Sequence, residues 1–280
     1  MFVFAEDGVS WQGPVRAVED SGFDVVWTGD HLFHYARPEQ PFLDGWASLA
    51  AWTQVTRTVR LGMLVTNVLW RMPVQVARFA VAVDQLSGGR LELGLGAGAF
   101  ADQAMAGVLQ MPAQERVKRL DEAALVLDRL LRGDCEPFSG AFTSYTQAAV
   151  APGTIQRPRV PLTVAANGPR ALAVVARRAD VWNTWSGDAG SLREYRDQVV
   201  HRLEVLRKEL DAAGRDPATL RLSLTVYPKV FDVWANNTAL EEVVAMFVPL
   251  GFSEFVVYPP REDQQAIYRH VTRTRMPQLR

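Results

Sequence analysis

Four short stretches carry residue types that can do chemistry, and each follows an apolar run that reads as a β-strand. The first is Trp27-Thr28-Gly29-Asp30-His31. An Asp beside a His at a strand mouth can supply a polar hook and a proton donor in an apolar cleft, since imidazole titrates near neutral pH. The competing reading is a surface turn in which Asp30 caps a local amide. The second is Leu64-Val65-Thr66-Asn67, where two polar residues end a run too apolar to face solvent. Thr66 and Asn67 are therefore predicted to look into the mouth of the sheet, unless Asn67 only accommodates an unusual backbone conformation.

The third stretch is Gly94-Leu95-Gly96-Ala97-Gly98-Ala99. Glycines let a backbone come close to a flat ring or a phosphate because no Cβ intervenes; a close-packed turn is the alternative. Gly94, Gly96 and Ala99 also satisfy the dinucleotide pattern GxGxxG/A, but the motif does not open the chain and no apolar crossover helix follows it. The fourth stretch is Asn167-Gly168-Pro169-Arg170-Ala171. Pro169 suits the first turn of a helix, which would leave the amides of Gly168, Arg170 and Ala171 free to bind an anion such as phosphate. Ordinary N-capping by Asn167 is the plainer reading. Trp27, Trp70, Trp182 and Trp185 flank the strand ends and could form the apolar walls of a site for a planar ligand, although each taken singly reads as core. Cys135 is the only cysteine, and His201 and His270 sit in helical segments among charged neighbours, so no metal site is expected.

The elements that must position these residues alternate. Candidate strands are Phe2–Ala5, Asp24–Trp27, Val59–Thr66, Leu91–Leu95, Leu162–Ala166, Val181–Thr184, Leu220–Val226 and Glu254–Tyr258, most of them continuous apolar runs of the kind buried on both faces. Helical periodicity fills Ser10–Ser21, Trp46–Gln54, Val74–Leu86, Glu115–Arg132, Arg170–Arg178, Leu192–Ala213, Ala239–Val248 and Gln264–Arg273. Within Glu115–Arg132, Val117, Leu120, Ala124, Leu127 and Leu131 share one face. Strand and helix in alternation predict parallel strands with crossover helices, an α/β fold. Gly133–Pro161 interrupts the rhythm after the fourth helix with scattered Pro and Gly; pairing of Glu136–Phe138 with Phe142–Tyr145 would make it a hairpin-bearing insertion rather than a second domain.

The chain has 280 residues, 48% hydrophobic and 22% charged, with 30 basic against 31 acidic residues. One large α/β barrel of about 250 residues fits that length. Balanced charge gives no footprint for a nucleic acid. No apolar run approaches the roughly 18 residues of a membrane span, and Met1–Val9 carries Glu6 and Asp7 where a leader would be basic. With its single cysteine, the protein is expected to be cytoplasmic.

Taken together the four loops resemble the bacterial luciferase-like family of FMN-dependent monooxygenases and coenzyme F420-dependent dehydrogenases and reductases. The resemblance spans nearly the whole chain and is carried by Gly22-Phe23-Asp24 leading to Gly29-Asp30-His31, by Val59-Arg60-Leu61-Gly62 through Arg71-Met72-Pro73, by Leu86-Ser87-Gly88-Gly89-Arg90 through Gly98, and by Asn167-Gly168-Pro169-Arg170 followed by Ala179-Asp180-Val181-Trp182-Asn183. It implies a single (β/α)8 TIM-barrel domain over residues 1–280 with its site at the C-terminal strand ends, binding F420 or, alternatively, FMN. It implies that a bulge at Leu64–Asn67, including Val65 and Thr66, presses on the cofactor's central ring. Asp30, Ala97 and Gly98 would touch the cofactor, His31 would be catalytic, and Asn167, Gly168, Arg170 and Ala171 would hold the phosphate. The substrate would be a small molecule, and a homodimer would be in keeping with the family. In the sugar-phosphate dehydrogenase branch a Glu stands where this chain has Ala99, so that activity is not implied, and a non-catalytic flavin-binding barrel is a further alternative.

Overall fold

Near-continuous apolar runs become strands that are closed to water on both faces, and amphipathic runs become the helices that cover them. The structure is a computed structural model and describes residues 1–3, 11–34, 39–98, 107 and 110–279. In chain order the strands are β1 (Val25–Thr28), β2 (Arg60–Asn67), β3 (Leu91–Gly96), β4 (Phe138–Ser139), β5 (Ser144–Tyr145), β6 (Leu162–Ala165), β7 (Val181–Trp185), β8 (Arg221–Thr225) and β9 (Glu254–Val256). The helices are α1 (Gln12–Asp20), α2 (Gly45–Trp52), α3 (Pro73–Ser87), α4 (Ala113–Leu131), α5 (Pro169–Arg178), α6 (Leu192–Ala212), α7 (Ala239–Phe247) and α8 (Gln265–Thr274). Each sits within a residue or two of its expected bounds.

Seven strands form one curled sheet in the order β1-β2-β3-β6-β7-β8-β9, with every pair parallel. The remaining predicted strand, Phe2–Ala5, is represented among the described residues by a single parallel bridge from Phe2 to Trp27; Phe4 and Ala5 lie outside them. Both edges of the sheet reach this segment. Val3 N donates to Trp27 O at 2.7 Å, and Phe2 N donates to Val257 O, just past β9, at 2.8 Å. One continuous cluster of buried apolar side chains, including Leu61, Leu93, Leu127, Trp182, Tyr195 and Phe247, fills the space between sheet and helices.

The expected hairpin is present as β4 and β5, paired Phe138 to Tyr145 and Ser139 to Ser144. The insertion that contains it does not line the site. Its hairpin leans on α4, where the Glu122 carboxylate accepts from the amides of Ala141 and Phe142. Its second half runs beneath the N-terminal ends of the strands. There Asp84, fully buried in α3, accepts from Ile155 N at 2.6 Å and from Gln156 Nε2 at 2.8 Å, and Gln156 accepts from Arg60 Nη2 at 2.7 Å. Arg60 also binds the buried Glu92 at 2.6 Å, giving the sheet an ionic floor at the end away from the loops of interest.

A second polar lock sets where β2 begins. Oε1 of Glu19, at the end of α1, accepts from the amides of Arg57, Thr58 and Val59 at 2.9, 2.7 and 3.0 Å and from the Thr58 hydroxyl at 3.0 Å. Burial alone would raise this carboxyl, but the four donors outweigh it and hold it at about 2, down from 4.5. Since the folded pKa lies below the unfolded one, the stabilisation is complete above about pH 5 and is lost as pH falls towards 2. Glu19→Gln is therefore expected to lower stability at neutral pH by roughly 1 kcal/mol, solvent screening having reduced the effect. In urea titrations the gap from wild type should close between about pH 5 and pH 2, and a gap that stays constant with pH would show that the ionised carboxylate is not what holds the loop.

Candidate active site

The C-terminal ends of the strands surround a cavity of about 550 Å³, within the range of small-molecule sites. Asp30, His31, Val65, Asn67, Ala97, Gly98, Asn167, Gly168, Arg170 and Ala171 all line it. Of the predicted site residues only Thr66 is absent from the wall. Successive strand residues face opposite sides, so with Asn67 at the cavity Thr66 points away; it is fully buried, and its hydroxyl has no partner among the described residues.

The Asp30 loop is fixed by an ion pair that motif reading missed. The Asp30 side chain is 0% exposed and Arg71 grips it through both fork positions, Nε at 2.9 Å and Nη2 at 2.7 Å. Asn67 N adds a donor at 3.2 Å, so Asp30 caps an amide of a neighbouring strand rather than one of its own turn. Burial pushes the carboxyl up, while the guanidinium and the amide pull it back; Arg71 is itself held protonated by Asp30 and Asp44. Asp44 caps α2 through Ala47 N at 3.0 Å, so one arginine joins the β1 loop, the end of β2 and the start of α2. The ring of His31 lies against Gly29, where an added Cβ would meet its Cδ2 at 2.9 Å.

Leu64 and Val65 form a bulge. The pairing of β2 with β3 slips between Met63 and Thr66, the Leu64–Val65 peptide is cis, and both residues line the cavity. The glycines opposite take the close-packed role named above as the alternative, and Gly96 lines the cavity as well. A Cβ on Gly96 would collide with Val65 Cγ2, and one on Gly94 with the carbonyl of Met63, so these two make room for the bulge. Gly98 has φ 74°, and a Cβ there would meet Leu69 Cδ1 at 2.5 Å and Asn67 Oδ1 at 2.7 Å. Ala99 lies outside the described residues. Asn67 keeps a negative φ, and its Oδ1 accepts from Leu69 N at 3.0 Å. From α4, Arg116 donates to Gly98 O and Arg119 Nε to Val68 O at 3.0 Å, holding both loops from behind.

At the fourth loop, α5 starts with Pro169 in its first turn and Gly168 as N-cap, with no side-chain cap. Asn167 does not cap the helix. Its amide group instead binds the end of β7, accepting from Thr184 Oγ1 at 2.8 Å and donating to Trp185 O at 3.1 Å, an oxygen that Arg202 also binds at 2.9 Å. The amide of Ala171 is not free as expected, because it closes a tight turn onto Gly168 O at 3.0 Å. Those of Gly168 and Arg170 have no acceptor among the described residues, and the exposed Arg170 guanidinium has no carboxylate partner there. Nothing lies within 4 Å of a Cβ built on Gly168, so the turn is open towards the cavity.

Of the four tryptophans only Trp185 lines the cavity. Trp182 is fully buried and donates to Ala166 O, and Trp27 packs with Phe2 and Val256. Asn183, from the motif that follows the fourth loop, also lines the cavity, together with Phe2, Thr225, Tyr227 and Tyr258, which no motif had marked. Among the described residues no cluster of His, Cys, Asp and Glu could hold a metal, and no helix is long and apolar enough to cross a membrane.

Residues 13–278 match the family model described as luciferase-like monooxygenase. The chain belongs to that family. This luciferase-like protein is 29% identical over 218 residues to an F420-dependent hydroxymycolic acid dehydrogenase of Mycobacterium tuberculosis, a match covering 78% of the chain and 58% of the dehydrogenase. It is 32% identical over 260 residues to the oxygenase component of a flavin-dependent trigonelline monooxygenase of Acinetobacter baylyi, covering 87% of the chain and 70% of that protein. The structure of the coenzyme F420 dependent tetrahydromethanopterin reductase from Methanopyrus kandleri superposes with a TM-score of 0.79 at 16% identity, covering 100% and 98% of the two chains, which establishes the shared fold.

The Asp30–Arg71 pair makes a direct prediction for the luciferase-like site. Arg71→Met strands a buried carboxylate and should cost about 3–5 kcal/mol in chemical denaturation, whereas Arg71→Met with Asp30→Asn should recover most of that loss. Additive losses would show that the two side chains are not energetically coupled.

Proposed function

We propose that this chain is an oxidoreductase that exchanges hydride between coenzyme F420 and a small organic substrate at the mouth of a closed (β/α)8 barrel. The barrel is read as one domain over residues 1–280, closed at a seam supported by the bonds of Phe2 and Val3 to the two sheet edges. One observation carries the functional reading. Four loops far apart in sequence bring an anchored Asp30, a bulge at Leu64–Val65, the backbone at Ala97–Gly98 and an open helix start at Gly168 to a single cavity.

The residues present fit a phosphorylated tricyclic cofactor. The amides of Gly168 and Arg170 and the Arg170 guanidinium, without acceptor or carboxylate partner among the described residues, suit a phosphate, and the open space at Gly168 lets it approach. Val65, Ala97 and Gly98 offer an apolar edge to a flat ring, with Asp30 and Asn67 as the polar atoms beside it. Asn167 serves this site by holding the turn in place, and Ala171 by tightening it. When bound, the cofactor supplies hydride chemistry at its central ring, at C5 in a deazaflavin and N5 in a flavin. His31 holds or moves a proton at its imidazole for the substrate. A second reading, an FMN-dependent monooxygenase that uses reduced flavin and oxygen, draws on the similarity to the trigonelline monooxygenase. The protein is read as cytoplasmic, and as a homodimer by analogy with the family.

Fluorescence titration of the purified protein with F420 and with FMN separates the two readings, and tight binding of FMN alone would favour the second. Arg170→Gln should weaken the phosphorylated cofactor about tenfold, leave riboflavin binding and thermal stability unchanged, and so reveal the phosphate contact. Equal loss for FMN and riboflavin would remove that role. His31→Ala should bind cofactor as wild type does and lose at least about 100-fold in kcat; normal turnover would exclude it as the proton carrier. A protein that binds cofactor but transfers no hydride to any screened substrate would be a non-catalytic barrel.

A further inference from the structure

One part of the cavity lining differs from the rest. Phe2 stacks on Tyr258 with ring centroids 5.3 Å apart, and Tyr258 meets Tyr227 at 5.5 Å. The row extends to His31, because a Cβ on Gly29 would lie 2.9 Å from His31 Cδ2 and 3.5 Å from Phe2 Cζ, so both rings rest against that glycine. A shelf of rings thus leads from Tyr227 to the imidazole assigned the proton.

The charges on the described residues that line this cavity each have a place. Apart from tyrosines, the ionisable side chains among the described lining residues are Asp30, His31 and Arg170. Asp30 is bound by Arg71, and Arg170 lies at the phosphate turn. The neutral groups nearest the shelf satisfy each other: Asn183 Nδ2 donates to Ser223 Oγ and Thr225 Oγ1, both at 3.0 Å, and Thr225 Oγ1 donates to Asn183 Oδ1 at 3.2 Å. An anion placed there would lose its hydration and face the negative faces of aromatic rings, and among the described lining residues the only Lys or Arg is Arg170, at the phosphate turn. A planar neutral ring would gain stacking and burial without that cost.

We infer that the shelf of Phe2, Tyr258 and Tyr227 is the substrate subsite and that it takes a planar, uncharged ring compound, presented edge-on to His31. The inference rests on the cofactor reading above, and it goes beyond it by excluding sugar phosphates and carboxylates as substrates. Tyr227 and Tyr258 become specificity-determining residues.

The test uses the protein saturated with whichever of F420 or FMN it binds, and follows the cofactor spectrum on addition of 2-naphthol, 2-naphthoate, N-methylquinolinium or glucose 6-phosphate. The naphthol should bind at least about tenfold tighter than the naphthoate of the same shape and than the cation, and glucose 6-phosphate should give no response. Tyr258→Ala should weaken naphthol about tenfold, and Tyr258→Phe should not, with cofactor affinity unchanged in both. Comparable binding of naphthoate or of the sugar phosphate would overturn the inference, as would a naphthol affinity indifferent to Tyr258→Ala. Tightest binding of N-methylquinolinium would make the shelf a cation cage instead. Displacement of the cofactor by naphthol would assign the shelf to the cofactor and leave the cofactor reading intact. If wild type binds neither cofactor that reading fails, and naphthol binding to the cofactor-free protein, read by intrinsic fluorescence, still decides the shelf.

Discussion

The site hangs on a charged pair that water scarcely reaches. Asp30 alone would be costly inside the protein; held by both arms of Arg71 and by the amide of Asn67, it becomes the point at which the β1 loop is fastened to the end of β2. Arg71 reaches on to Asp44, so the cap of α2 belongs to the same network. Such an assembly offers less as a source of net stability than as a device for geometry. Its oxygens have few alternative partners, and the loop that carries His31 inherits their position.

The neighbouring contact works by shape. A bulge in β2 pushes Leu64 and Val65 towards the cavity, and β3 answers with glycines where side chains would obstruct it. Behind them Arg116 and Arg119 take up carbonyls of the two loops, so that α4 supports the wall it helps to line through Ala113 and Val117. The far end of the sheet is locked independently by Asp84, Gln156, Arg60 and Glu92. Floor and mouth are thus separate polar systems with an apolar core between them, an arrangement in which the loops can diverge while the frame is kept.

Much of this was legible in the sequence because it depends on local pattern. Continuous apolar runs, helical period, Pro169 at a helix start and Gly88 at a helix end, where φ is 71°, are short-range signals, and they placed nearly every element. The failures share a cause. Thr66 was assigned to the cavity with Asn67 although neighbours on a strand face opposite ways, and the Ala171 amide was counted as free although a tight first turn consumes it. Asn167 looked like a cap because its neighbours do not reveal that β7 needs it more. For Gly94 and Gly96 the sequence left a ligand and close packing both open, and only the fold shows the adjacent strand against them. Arg71 stood in a quoted motif that did not reveal its partner, and the ring row of Phe2, Tyr227 and Tyr258 had no local signature, since these contacts are made only by the curl of the sheet. Nothing local in the insertion tells which end of the sheet it covers; hydrogen bonds to Asp84 and Arg60 draw its second half to the end away from the site.

Phe2 belongs to two structures at once. Its amide ties the chain to Val257, next to the last strand, while its ring lies under Tyr258 as part of the cavity wall. Whatever rests on that ring therefore also weighs on the join between the first and last parts of the chain. Occupancy of the cleft and integrity of the seam are thermodynamically linked: a guest that prefers the joined form must strengthen the join by the same free energy with which the join favours the guest.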